Sequence, residues 1–518
     1  MADPNTHSSI KNVAIVSSTT VLSRLLGLIR EIVFFIAFGV SDVGGTFILA
    51  FTLPNMFRKL LGEGALSSAL VPVLANVYTQ QGRGAMFHLF SCAFKKIFFI
   101  LIAVSFGLFA GLWGISYCPC LQKWQLFIQF SSLLLPYMTC VCIAAISIAV
   151  FTLLGHFFIG AINQIWANIT MIIAMILGAF VGHCEGITLA YWLIGGVLVG
   201  GLLQLLIPLF FLWKLGWGKL RFPRQLPYSE YLRDIWKLFL PGTLGATIEQ
   251  LNLFVSRAIA YSFNASIVSV LYLANRITEL PIGVFGVAII TVFFPKMAKA
   301  IGSHKPTDYI QQQIQQCYFG LLWILVPSAV GLFCVREDVL NLLFQYGKFE
   351  AKDATLVLPI IGIYCLTILF SGTSSLFVRL FHAYKDTRTP VKVGAIIFLV
   401  NTLGSVILLK MAGLIGLAMA NLLSSITQST LLTLWLRRHT GPFPLFHDHQ
   451  GYAMILLGGV GIFILSAVLS HVLPIFSHHF SHKIASCWSL LWTIVCSVGY
   501  YLLLSYPYFR RHKIFCGK

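Results

Sequence analysis

This chain places four arginines inside stretches that otherwise read as membrane-spanning: Arg24 and Arg30 in the first apolar segment, Arg58 in the second and Arg276 in the eighth. A guanidinium near the bilayer centre costs about 3 kcal/mol on insertion scales, so it faces a partner or a water-filled cavity. Its planar fork stays charged and pairs bidentately with phosphate or carboxylate. The four are therefore candidate binding residues for an anion, supported by Ser23, Glu31, Asn55, Lys59, Glu63, Asn275 and Glu279. Local alternatives differ among them. Arg24 has no acid three or four residues away, which favours a cavity wall. Arg30 adjoins Glu31, but sequence neighbours point in different directions on a helix, so a partner across the bundle is expected. Lys59 can pair with Glu63, and Arg276 with Glu279, within one helical turn. Pro54 with Gly64, and Pro281 with Gly283, interrupt two of the three arginine-bearing helices, the second and the eighth, and are hinge candidates.

The elements that must carry these residues are membrane helices. With 58% hydrophobic and 10% charged residues and a mean hydropathy of +0.87 over 518 residues, the chain has more apolar surface than a soluble core could bury. Apolar runs of helix-spanning length fall near 13–39, 46–61 (running on past Pro72), 97–117, 127–154, 159–181 and 187–213. After a basic connector at 214–237 they resume near 238–262, 267–294, 319–340, 356–383, 393–409, 414–436, 453–473 and 484–506. The fold class is thus an all-α polytopic membrane protein with fourteen transmembrane helices.

Loop charge checks that count, because each missed helix would exchange the sides of all later loops. Connectors after even-numbered spans carry Arg83, then Lys214, Lys219, Arg221, Arg224, Arg233 and Lys237, then later lysines and arginines through Arg510 and Arg511. Those after odd-numbered spans carry few. Both termini are therefore expected in the cytoplasm, and the net charge of +19 reads as orientation signal and contact with anionic membrane lipids rather than nucleic-acid binding. The twelve cysteines lack zinc spacing. His471, His478, His479 and His482 read as a solvated loop. No phosphate-binding loop, nucleophile elbow or zinc-protease motif occurs, so no enzyme activity, cofactor or metal is expected.

An internal repeat divides the chain. Gly107-Leu108-Phe109 recurs as Gly331-Leu332-Phe333 and Leu49-Ala50 as Leu273-Ala274, both at an offset of 224 (331 − 107 and 273 − 49). Pro72 with Pro295 and Pro136 with Pro359 are offset by 223. Six spans repeating as six, in parallel orientation, give an N-lobe at 1–213, the cytoplasmic connector at 214–237 and a C-lobe at 238–440. The two C-terminal helices and a basic tail occupy 441–518. Parallel repeats of this kind are a transporter architecture, with the substrate site expected between lobes near the midplane.

The segments around the arginines carry a resemblance. Ser23-Arg24-Leu25-Leu26-Gly27-Leu28-Ile29-Arg30-Glu31, Leu53-Pro54-Asn55-Met56-Phe57-Arg58-Lys59 and Gly62-Glu63-Gly64-Ala65-Leu66-Ser67 form an ordered series. It continues through Asn275-Arg276, Glu279-Leu280-Pro281, Phe344-Gln345-Tyr346-Gly347-Lys348-Phe349 and Lys385-Asp386-Thr387-Arg388-Thr389-Pro390-Val391-Lys392. Over about residues 13–440 the series resembles the MurJ (MviN) family of lipid II flippases, in the multidrug/oligosaccharidyl-lipid/polysaccharide exporter superfamily. The resemblance implies alternating-access transfer of an undecaprenyl-diphosphate-linked peptidoglycan precursor to the outer leaflet of the cytoplasmic membrane. It further implies that Arg24, Arg30, Arg58 and Arg276 engage the diphosphate, and that the last two helices hold the lipid tail. Lipid II is then the partner, alongside membrane lipids and other cell-wall synthesis proteins as candidates, and a monomer is expected. An exporter of another undecaprenyl-linked glycan and an ion-coupled multidrug antiporter of the same superfamily are the alternatives.

Departures from that family pattern are informative. Gly45 stands where many members have an aspartate, with Asp42 the nearest acid, and Asn275 stands before Arg276 where an aspartate is usual. Some relatives hold sodium through acids on the seventh and eleventh helices. Ser256-Arg257, Asn401 and Ser405 in those neighbourhoods argue against such a site, since hard oxygen ligands are missing and a guanidinium is added.

Overall fold

A computed structural model of the chain describes residues 4–60, 65–218, 228–442, 448–477 and 482–512. Glu63 and Gly64 lie outside the described residues, as do Lys219, Arg221 and Arg224 of the basic connector and His478 and His479. The helices are α1 (Pro4–Phe38), α2 (Asp42–Phe57), α3 (Ala65–Ser116), α4 (Gln125–Leu153), α5 (Phe157–Ile176), α6 (Gly186–Lys214) and α7 (Tyr228–Phe263). They continue as α8 (Ala265–Pro281), α9 (Val287–Gly302), α10 (Thr307–Leu343), α11 (Ala351–Ala383), α12 (Arg388–Thr440), α13 (His449–Ser477) and α14 (His482–His512). Among the described residues, ten helical stretches are long and apolar enough to cross a membrane. Helix is the expected answer in a bilayer, because it satisfies every backbone polar group within the segment. The protein is a multi-pass, all-helical membrane protein.

These labels follow continuous helix rather than membrane crossings. α3 is kinked at Gly82 (φ 81°) and α12 at Gly413 (φ 58°), left-handed positions that glycine adopts without a Cβ penalty. Conversely, α8 and α9 form one continuous rod through a π-turn at Ile282–Gly286. A second π-turn follows α2 at 58–60. The two begin 282 − 58 = 224 residues apart, the period of the sequence repeat. The same local departure from α-helix thus recurs beside a proline and an intramembrane arginine, with Arg58 inside the first turn and Arg276 six residues before the second.

By packing, the chain forms two compact units, Met1–Val268 and Ser269–Lys518. In the first, α5 packs between α1 and α6. Its partner α6 carries Gly196 and Gly200, where a Cβ would lie 2.5 Å from the Ala174 side chain and 2.4 Å from Thr170 Oγ1. Small residues four apart let two membrane helices approach closely, and a larger side chain at either would push α5 away. Buried Gln204 on α6 adds a polar clasp, its Nε2 donating to the Asn163 carbonyl of α5 at 3.0 Å. α1 packs along α5, while α2 lies against α4 and α7.

In the second unit, buried Ile314, Leu321, Leu325, Ile368, Phe377, Phe381 and Leu432 join α10, α11 and α12 in one apolar core. The α13–α14 hairpin is fastened to α10: Trp323 Nε1 donates to Ser505 Oγ at 3.1 Å, and Tyr501 donates to the Trp323 carbonyl at 2.8 Å. At the α11–α12 turn, Asp386 caps α12 by accepting from the Arg388 and Thr389 N–H groups and the Thr389 hydroxyl, and meets His439 Nε2 at 3.1 Å. Partial burial opposes its charge, yet those hydrogen bonds and His439 hold its carboxyl down to about 2.

Candidate functional site

Within the first unit, two of the candidate arginines converge on a single face of α5. Arg30 of α1 donates through Nη1 to Asn168 Oδ1 at 3.1 Å, and Arg58, just past α2, reaches Gln164 Oε1 at 3.5 Å. Residues 164 and 168 lie one helical turn apart on the same side of α5, their Cα atoms about 6 Å apart along the axis. Arg58 is held from a second direction by Asn55, whose Oδ1 accepts from Nε at 3.2 Å. Asn168 in turn donates from Nδ2 to the Ser23 carbonyl at 3.4 Å, tying α5 back to the residue before Arg24. Arg24 itself lies on an exposed stretch of α1.

Arg30 also pairs directly with Glu31. The expectation of a partner across the bundle therefore holds in one respect and fails in another: Asn168 is that partner, but the local pair forms as well. Arginine's long stem allows this, since it can bend back over the roughly 100° that separates adjacent residues on a helix. Glu31 is buried, which makes a charge partner obligatory for it.

The amides of α5 are arginine partners that the sequence reading did not single out. Their signal was present as two carboxamides at i and i+4 in an apolar segment, Gln164 and Asn168. A carboxamide oxygen accepts from a guanidinium without cancelling its charge, so it orients the arginine and leaves its attraction for an anion in place.

In the second unit, Arg276 of α8 pairs with Glu279 at 3.1 Å, the i+3 contact expected from sequence, and lies 4.9 Å from the Tyr272 ring centroid. Asn275 donates to the other Glu279 oxygen at 2.7 Å, so one carboxylate gathers both. The Arg276 and Glu279 side chains are 44% and 51% exposed. Lys59 is exposed.

The departure at Gly45 has a steric reason. A Cβ there would fall 1.8 Å from the Ala265 carbonyl oxygen, so no side chain fits without moving backbone. The acid three residues earlier does different work: Asp42 accepts from the Ser266 N–H at 3.0 Å.

The fold is shared with a class of solved structures. It superposes with a TM-score of 0.60 at 13% identity on a solved structure titled as an inward-facing multidrug resistance MATE family transporter of the MOP superfamily, covering 82% of this chain and 98% of that one. Within that class the likeness narrows to one family. Residues 36–495 match the family described as "Lipid II flippase MurJ". The chain is 28% identical over 492 residues to the "probable lipid II flippase MurJ" of Rhizobium tropici, covering 93% of this chain and 90% of that protein. A solved "Lipid II flippase MurJ, inward closed conformation" superposes with a TM-score of 0.76 at 24% identity over 96% of this chain and 99% of that one. The chain belongs to the lipid II flippase MurJ family.

Proposed function

We propose that this protein moves lipid II, the undecaprenyl-diphosphate-linked peptidoglycan precursor, from the inner to the outer leaflet of the bacterial cytoplasmic membrane. Family membership supports the substrate, and one local observation carries the site: Arg30 and Arg58 are presented by neutral amides on consecutive turns of α5. A spacing of about 6 Å between the anchors suits two guanidiniums closing on one diphosphate headgroup. Arg24 and Arg276 complete the anion-binding set in this reading, with Ser23, Glu31, Asn55, Lys59, Glu63, Asn275 and Glu279 orienting them.

Alternating access would use the breaks beside the arginines. Pro54 and Gly64 flank the π-turn at 58–60, and Pro281 and Gly283 lie at or within that at Ile282–Gly286. π-turns leave backbone groups in strained registers and frequently mark functional sites. No covalent step is involved; the anion's differential contacts bias one conformation over the other.

The topology proposed is fourteen spans with both termini cytoplasmic. α2 and the first half of α3 make the second span, the rest of α3 the third, α8 with α9 the eighth, and the two halves of α12 the eleventh and twelfth. Repeat lobes at 1–213 and 238–440, the connector at 214–237 and the terminal pair within 441–518 follow from that count, and the protein works as a monomer. The test is genetic: deplete a host's own lipid II flippase, express this chain, and measure growth with outer-leaflet lipid II. Growth with restored lipid II is expected; confirmed membrane expression without either would overturn the proposal.

A further inference from the structure

Two helix ends in the first unit turn on glycine beside one cavity. α4 closes on Gly155 (φ 78°), with the His156 N–H donating to the Phe151 carbonyl at 2.8 Å. α6 closes on Gly216 (φ 97°), with the Trp217 N–H donating to the Leu212 carbonyl at 3.0 Å. Both are six-to-one glycine caps, and Trp217 is pinned further by donating from Nε1 to Ser91 Oγ of α3 at 2.8 Å. Between these ends and α5 lies a cavity of about 620 Å³, a size suited to a small ligand. Its wall follows from helical spacing. Ile162 and Trp166 are one turn apart on α5, and Ile207 and Phe211 one turn apart on α6, so each pair shares a face. Phe157 and Phe158 complete an apolar lining, while the exposed His156 and Lys214 line the same cavity at the helix ends. Lys214 Nζ lies 4.6 Å from the Phe210 ring centroid, a contact that positions the ammonium without supplying an anion to it. Deeper in, one polar atom stands out. Among the described residues, the Trp166 indole N–H is buried and meets no hydrogen-bond acceptor. The indoles of Trp217 and Trp323 both donate to serine hydroxyls, as buried tryptophans usually do.

We propose that this cavity binds an anionic glycerophospholipid. From the rim inward, Lys214 with His156 meets the phosphate, the Trp166 N–H donates to an acyl-ester carbonyl, and the aromatic and aliphatic wall takes the adjoining chain. A glycerophospholipid presents its groups in that same order, and the surrounding bilayer supplies it. A free inorganic anion would use the cation and leave the indole and the apolar wall unmet; a bare hydrocarbon would leave both polar groups unmet. Trp166 lies about 160° around α5 from both Gln164 and Asn168, so the site is separate from the arginines and independent of the diphosphate reading.

The probes are phosphatidylglycerol and phosphatidylcholine carrying the same photoreactive acyl chain, each in nanodiscs with the full-length protein, and labelled peptides are mapped by mass spectrometry. Phosphatidylglycerol should label 155–166 and 207–215 several-fold more than phosphatidylcholine. K214Q should bring it down to the phosphatidylcholine level. W166F, which keeps an aromatic ring and removes the N–H, should lower labelling by both lipids about fivefold, the effect of losing one hydrogen bond. I207W, which fills the cavity, should abolish labelling here and leave it unchanged elsewhere on the protein. K214Q alters an exposed position, so it carries the test even where I207W fails to fold. Equal wild-type labelling by the two lipids, or labelling that K214Q and W166F leave unchanged, would overturn the inference.

Discussion

Asn168 offers the sharpest test of how the site works. It is buried, with only 3% of its surface exposed, and its Oδ1 is the cross-bundle acceptor for Arg30, whose side chain is 15% exposed and so has little water to replace a lost partner. Asn168→Ala removes one hydrogen bond to a charged donor, worth about 1.5–3 kcal/mol, together with the donation to the Ser23 carbonyl. If Asn168 presents Arg30 to the substrate, that energy appears as an affinity loss of about 10- to 100-fold. Asn168→Asp makes the complementary change: the acceptor for Arg30 remains, the donation to the Ser23 carbonyl is lost, and the new carboxylate neutralises the guanidinium. It should keep Arg30 anchored and still lose binding, through repulsion of the diphosphate. The assay pairs lipid II titration in nanodiscs with a thermal melt of the same preparation. Near-wild-type binding by Asn168→Asp, or a purely thermal effect of Asn168→Ala, would refute the idea that a neutral anchor matters.

Other outcomes follow from the same geometry. Gly45→Ala forces a Cβ onto the Ala265 carbonyl at 1.8 Å, so the protein should fail to accumulate in the membrane, as a blot will show; normal levels would mean the turn at 264–266 moves freely. Gly200→Leu should displace α5 and with it both arginine anchors, abolishing rescue of a flippase-depleted host while some folded protein remains. Glu279→Ala should change the melting temperature little, because an exposed ion pair contributes only about 0–1 kcal/mol, whereas Arg276→Ala should abolish rescue without loss of protein. Asp386→Ala should cost about 1 kcal/mol of cap stability at neutral pH. Because the folded carboxyl is held down to about 2, its contribution is complete above the ordinary carboxylate range and lost as pH falls toward that value. The difference in melting temperature between wild type and Asp386→Ala should therefore shrink as pH falls below about 4.

Composition and periodicity made the all-helical membrane class legible, because a bilayer leaves helix as the main way to satisfy a backbone over such apolar runs. The repeat was legible in Gly107-Leu108-Phe109 and Gly331-Leu332-Phe333, and it resurfaces as two π-turns set 224 residues apart. The arginines were legible one by one, since charge inside an apolar run is an energetic anomaly. Their anchors were not. Asn168 and Gln164 are unremarkable in composition, and only the close approach of α6 at Gly196 and Gly200 fixes the face of α5 on which they meet Arg30 and Arg58. Nor could sequence show that Arg30 bends back to Glu31, because helical angles exclude neighbours only for short side chains.

The chemistry of those anchors bears on what carboxamides add to arginines that also meet carboxylates. A transporter must bind its anion and then release it, so an arginine fully neutralised by a dedicated carboxylate would compete poorly for substrate, and an arginine with no partner would be costly inside a bilayer. A carboxamide or hydroxyl lies between those extremes: it orients the fork and meets part of its hydrogen-bonding demand while the charge persists. Arg30 is graded toward the neutralised end by Glu31, and Arg276 by Glu279, so the carboxylates should limit how strongly these two hold phosphate. Replacing Arg30 with glutamine should therefore cost less diphosphate affinity in the wild type than in a Glu31→Gln background. Equal losses in both would mean that the carboxylate moves aside when substrate arrives.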